Sequence, residues 1–135
     1  METNNKIKHL EFLQLTITRM NVNSFMLKGW LVTIVGAVFA LSQKDAKTAF
    51  IWFAPFATLI FYFLDAYYLS LERQFRSLYD HVRALKEEEI NFSMDVSNFQ
   101  TGQNDYFSCL FSLTLLMFYI IIFLASLVAA IYINH

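Results

Sequence analysis

Residues 48–90 read TAFIWFAPFATLIFYFLDAYYLSLERQFRSLYDHVRALKEEEI. The first half is almost wholly apolar and long enough to cross a bilayer. The second half keeps helical periodicity but turns charged, and no Gly or Pro interrupts the passage between them. The pattern predicts one helix that leaves the membrane and continues into water. At the join sits Asp65, an acid still inside the apolar run.

Working outward, composition supports lipid as the solvent. Hydrophobic residues make up 57% of the 135 residues and aromatics 18%, against 16% charged. A soluble domain this small has too little interior to hide that much apolar surface. A single all-α membrane domain is expected. The net charge of -1 gives no support for nucleic acid as a partner. Cys109 is the only cysteine, which excludes an intrachain disulfide and a cysteine-based metal site. His9, His81 and His135 lie far apart in sequence, so neither a metal nor a cofactor is expected.

Residues 5–22 precede the membrane. Leu10, Leu13, Ile17 and Met20 recur at steps of three, four and three, one face of an amphipathic helix. That face packs on its own protein or lies on the lipid surface. Asn21, Asn23 and Ser24 form an N-cap-like cluster that could equally sit inside a continuous helix. The first span is expected over residues 25–42, the short end of what crosses ~30 Å of hydrocarbon. Ala40-Leu41-Ser42 resembles a signal-peptidase site, but the polar segment before it is too long for a usual leader.

Residues 43–47 are read as a tight turn, which makes the first two spans antiparallel neighbours. The second span covers residues 49–69. Its Pro55 falls one turn in, and Trp52 and Tyr62, Tyr67 and Tyr68 mark the two aromatic belts. Over residues 70–90 the helix continues, with Leu71, Phe75, Leu78, Val82 and Leu85 as a coiled-coil seam. Glu72–Arg76 and Arg76–Asp80 are opposite charges four residues apart. Residues 91–105 read as a linker. The last span, residues 106–133, carries no charge and at roughly 42 Å exceeds the hydrocarbon thickness, so tilt is expected.

Basic residues set the orientation. Lys6, Lys8, Arg19, Lys28, Arg73, Arg76, Arg83 and Lys86 fall on one side and only Lys44 and Lys47 on the other, eight against two. The N-terminus and residues 70–105 are then cytoplasmic and the C-terminus outside. Antiparallel pairing brings Lys28 level with Asp65, and an intramembrane ion pair between them is expected, with Arg19 or a neighbouring subunit as alternative partners of the acid. Such a pair either locks the helices or belongs to an ion pathway. Below the membrane, the two seams are expected to meet as an antiparallel stalk.

Small residues suggest packing faces for self-association: Gly29, Thr33, Gly36 and Ala40 on the first span, Ala125, Ser126, Ala129 and Ala130 on the last. Ser112, Tyr119 and Ser126 fall seven apart as a thin polar stripe, either packing glue or the lining of a pore. No nucleophile triad, phosphate loop or metal-ligand constellation can be assembled. Arg76 and His81 form an Arg-x4-His string similar to the HEPN ribonuclease motif. Five helical residues turn through about 500°, so the two side chains diverge on one helix.

The string Arg19-Met20-Asn21-Val22-Asn23-Ser24-Phe25-Met26-Leu27-Lys28-Gly29-Trp30, with Leu64-Asp65-Ala66-Tyr67-Tyr68-Leu69 and Glu72-Arg73-Gln74-Phe75-Arg76-Ser77-Leu78-Tyr79-Asp80, resembles a family of small uncharacterised bacterial inner-membrane proteins. More distantly, Arg19-x-x-x-Asn23-Ser24-Phe25 resembles RipA-type octameric membrane proteins, and the layout is similar to small transmembrane anti-phage effectors. The resemblance implies a homo-oligomer of the inner membrane, pore-forming or membrane-disrupting, acting in phage defence on a cytoplasmic protein trigger. The rival from another class is an anchoring protein that docks a cytoplasmic partner on its stalk. A ribonuclease at Arg76 and His81 is a third.

Overall fold

The computed structural model describes residues 2–43 and 48–135, and among them every regular element is helical. Three helical stretches, Asn4–Ser42, Ala49–Ala84 and Leu113–Asn134, are long and apolar enough to cross a membrane, consistent with a multi-pass membrane protein. The turn expected over residues 43–47 lies, from residue 44 on, outside the described residues.

Helix α1 runs unbroken over Glu2–Ser42, 41 residues and roughly 62 Å. Asn21, Asn23 and Ser24 therefore sit inside one continuous helix, with the Ser24 hydroxyl engaged across the bundle rather than at a cap. A 3-10 turn, Thr48–Trp52, leads into α2, Phe53–Ala84. Pro55 occupies the first turn of α2, where its missing N–H leaves no intrahelical bond unmade. The two helices form an antiparallel hairpin whose polar arm comprises residues 4–24 and 70–84.

The two seams meet in that arm. Leu13, Leu78 and Val82 are buried, and Leu10, Phe75 and Leu85 pack around them. The helix does not persist to Ile90. Leu85 and Lys86 are extended, with ψ of 151° and 155°, and α2 ends at Ala84. The cause is distant in sequence: the Lys6 ammonium donates to the carbonyls of Arg83, at 3.2 Å, and Leu85, satisfying acceptors that the last turn leaves open. The chain then folds back, burying Ile90 against the same core.

Residues 91–105 are more than a linker. Asn91, Ser93 and Asp95 each accept the amide N–H two residues on, at 2.9–3.1 Å, so side chains replace a backbone ladder. Val96 and Phe99 join the polar-arm core. Asn104 donates to Ser77 Oγ at 2.8 Å and to the Phe99 carbonyl at 3.0 Å, and its own carbonyl accepts from Ser70 Oγ at 2.6 Å. The segment thus lies along α2 as a third layer of the polar arm.

The last span is two helices, not one over residues 106–133. Helix α3 covers Tyr106–Leu110, and α4 covers Leu113–Asn134, with Ser112 extended at ψ 130° between them. The Arg73 guanidinium donates to the Gln103 carbonyl at 2.8 Å and reaches Ser112 Oγ at 3.4 Å. The Tyr62 hydroxyl donates to the Leu110 carbonyl, one of the acceptors that the break frees. The excess length of the sequence segment is resolved by this break: the 22 residues of α4 extend about 33 Å, close to the hydrocarbon thickness.

Close helix contact comes mainly from α2, where Ala54, Ala57 and Ala66 are buried, with Ala130 of α4 opposite. The small residues expected to pack largely face outward within the chain. Gly29, Gly36, Ala40 and Ala125 are exposed, Ala129 is half-buried, and a Cβ added at either of those glycines meets nothing within 4 Å.

Candidate functional site

Asp65 is fully buried on α2, beside the equally buried Ala66 whose small side chain lets neighbouring helices close over it. Three donors converge on its carboxylate. Oδ1 accepts from Ser24 Oγ, and Oδ2 accepts from Lys28 Nζ and, at 2.8 Å, from the Tyr119 hydroxyl of α4. Lys28 Nζ also donates to Ser24 Oγ at 2.9 Å, which binds the α1 contribution into one unit. The ammonium lies 5.8 Å and 5.9 Å from the ring centroids of Phe118 and Tyr119, within cation–π range. One cluster therefore ties all three long helices together at a single depth.

The expected Lys28–Asp65 pair is what the structure contains, formed within one chain. Arg19, the alternative partner, is exposed elsewhere on α1. Sequence reading missed Ser24 and Tyr119 as members. Ser24 was discernible, since it precedes Lys28 by four residues and so shares its face. Lys28 keeps 27% of its side chain exposed, toward a crevice of about 320 Å³ that Asn21, Glu72 and Thr114 also line. Asp65 is sealed behind it.

Of the polar stripe on the last span, Tyr119 and Ser126 are buried inside the bundle and Ser112 caps the break between α3 and α4. The Ser126 hydroxyl donates to the Phe123 carbonyl at 2.8 Å. Thr33, Ser42 and Thr58 likewise donate to carbonyls four residues back at 2.7–3.0 Å. Gly36, Ala125 and Ala129 line an apolar crevice of about 410 Å³ between α1 and α4.

Arg76 and His81 are not brought together as a pair. Arg76 pairs with Glu72 at 2.8 Å, whereas the His81 ring packs on Phe99 with centroids 5.8 Å apart. The expected Arg76–Asp80 pair is absent among the described residues; Asp80 meets Arg83 instead, at 3.5 Å. No group of three or more metal-ligating side chains occurs among the described residues.

A second feature lies on the outer side of the polar arm. An open groove of about 810 Å³ runs between α1 and the returning segment. Its walls are Phe12, Leu15, Phe92 and Met94, with Lys8 and Arg19 along it. Phe12 and Leu15 are 61% and 65% exposed, a large apolar area outside the apolar spans. At the base lies His9, 5% exposed, whose Nε2 has no hydrogen-bond partner. The Phe92 ring meets the imidazole edge-on at 5.6 Å, held there by a left-handed backbone with φ of 54°. Burial pushes the His9 pKa below its ordinary value.

Comparison with protein-family models, with curated proteins and with solved structures finds no match to this chain. The functional reading therefore rests on these two features.

Proposed function

We propose that the protein is a multi-pass anchor of the bacterial inner membrane, with its polar arm in the cytoplasm as a stalk on which a cytoplasmic protein docks. The observation that carries this reading is the apolar groove with its unpartnered buried imidazole. In an aqueous compartment, Phe12 and Leu15 gain from being covered. The orientation follows the basic-residue count, eight against two.

The spans support anchoring over conduction. Tyr119 and Ser126 have their hydroxyls engaged inside one chain, so a water path along them requires α4 to leave Asp65. Self-association through the outward faces of α1 and α4 fits the open crevice lined by Gly36, Ala125 and Ala129.

The test is in-cell photocrosslinking from residue 15, with residue 80 on the opposite side of the stalk as control. A cytoplasmic protein captured at residue 15 alone, and lost in Phe12→Asp, supports docking. Membrane depolarisation on expression, abolished by Tyr119→Leu or Ser126→Leu, would instead establish the pore.

A further inference from the structure

Resting on the docking reading, we infer that the groove takes an acidic amphipathic helix of a cytoplasmic protein, with carboxylates about three turns apart. Three observations on the groove converge.

The first is shape. Lys8 and Arg19 are eleven residues apart on α1, a rise of roughly 16 Å. Between them the floor is apolar, with Phe12 and Leu15 on one wall and Phe92 and Met94 on the other. A helix laying residues at i, i+3 or i+4, and i+7 into this trough fits its length and its chemistry. Eleven residues turn through about 1100°, so acids spaced by eleven return to the same face and reach both cations.

The second is charge. Neither Lys8 nor Arg19 forms an ion pair with any acid among the described residues. The occupant best suited to both supplies negative charge and leaves little exposed apolar surface. This also argues against a second copy of α1 in the groove. Two copies inserted in one membrane run parallel at the same depth, which sets Lys8 against Lys8 and Arg19 against Arg19.

The third is the imidazole. His9 Nε2 is buried without a partner, beside the groove, and a bound side chain or backbone group can complete it. The left-handed Phe92 holds its ring against that imidazole and so shapes the wall. Strain of this kind persists where the surroundings fix it, and it clusters at binding sites.

The experiment uses the full chain in phosphatidylcholine nanodiscs and a fluorescent probe peptide of about four helical turns. The peptide carries Leu at i, i+4 and i+7 and Glu eleven residues apart; its sister carries Lys for Glu. The Glu peptide should bind about tenfold more tightly than the Lys peptide, and added salt should weaken it. The preference should reverse in the Lys8→Glu, Arg19→Glu variant, whose helical circular dichroism should match the parent. Equal binding of both peptides, binding no greater than to empty nanodiscs, or displacement by laurate in place of the peptide overturns the inference. The crosslink at residue 15 separates the two levels. If it is lost in Phe12→Asp but kept in Lys8→Glu, Arg19→Glu, docking stands and the acidic helix does not. If both variants keep it, the docking reading itself fails.

Discussion

Helix α1 places polar groups in two enclosed settings, and they are treated in opposite ways. Around Asp65, Ser24, Lys28 and Tyr119 satisfy the carboxylate, and the acid is sealed from water. Around His9, an imidazole nitrogen is buried unpaired beside exposed aromatic and aliphatic side chains. A complete network fixes how helices pack and needs nothing further. An incomplete one next to uncovered apolar surface is suited to an interaction with a second molecule. The contrast separates architecture from recognition along a single rod.

The contrast can be broken hardest at Lys28. Lys28→Met leaves the buried Asp65 charge without its counter-ion and should destabilise by about 3–5 kcal/mol. It should be read as a fall in the unfolding midpoint in mild detergent. Removing both charges, Lys28→Met with Asp65→Leu, should recover most of the loss. The exchange Lys28→Asp with Asp65→Lys tests pairing directly, and a double variant as unstable as either single would show that the two are not partners.

Tyr119→Phe should cost about 1.5–3 kcal/mol, the range for a hydrogen bond to a charged group, and leave the groove intact. Lys6→Met removes the donor at the end of α2 and should cost about 1 kcal/mol. It should appear as faster hydrogen exchange near residues 83–90 with little change in the spans. Phe12→Ala, on the exposed wall, should stay within about 0.5 kcal/mol of the parent while losing the crosslink at residue 15.

The smallest effect concerns pH. The His9 pKa is lowered in the folded chain because burial disfavours the imidazolium. The unfolded chain then binds more protons, so this contribution to stability is present above the ordinary histidine value of about 6.5 and lost as pH falls toward the folded value. His9→Gln should flatten that part of the stability profile. An unchanged slope would mean that the ring is not held neutral by its surroundings.

Much of this arrangement was legible. The steps of three and four at Leu10, Leu13, Ile17 and Met20, and again from Leu71 to Leu85, disclose the polar arm because periodicity is a local property. Lys28 and Asp65 could be matched because a tight turn fixes the depth of everything that follows. The break at Phe111–Ser112 was hidden, since the apolar run around it contains no Gly or Pro and the donors that support it, Tyr62 and Arg73, belong to another helix. The early end of α2 was hidden for the same reason, with Lys6 acting on carbonyls 77 and 79 residues away. The packing alanines of α2 were masked by the Phe-rich composition around them, so the glycines of α1 drew attention instead. The regular spacing Asn91, Ser93, Asp95, Ser97 did carry a readable signal, of side chains alternately capping amides, although it was read as a linker.

The unbroken course of α1 has a mechanical consequence. A helix of 41 residues pinned near its middle at Lys28 is a lever with its fulcrum at the ion pair. Arg19 lies roughly 14 Å to one side of that fulcrum and Ser42 about 21 Å to the other. A tilt imposed at Arg19 is therefore delivered to Ser42 reversed in direction and enlarged about one and a half times.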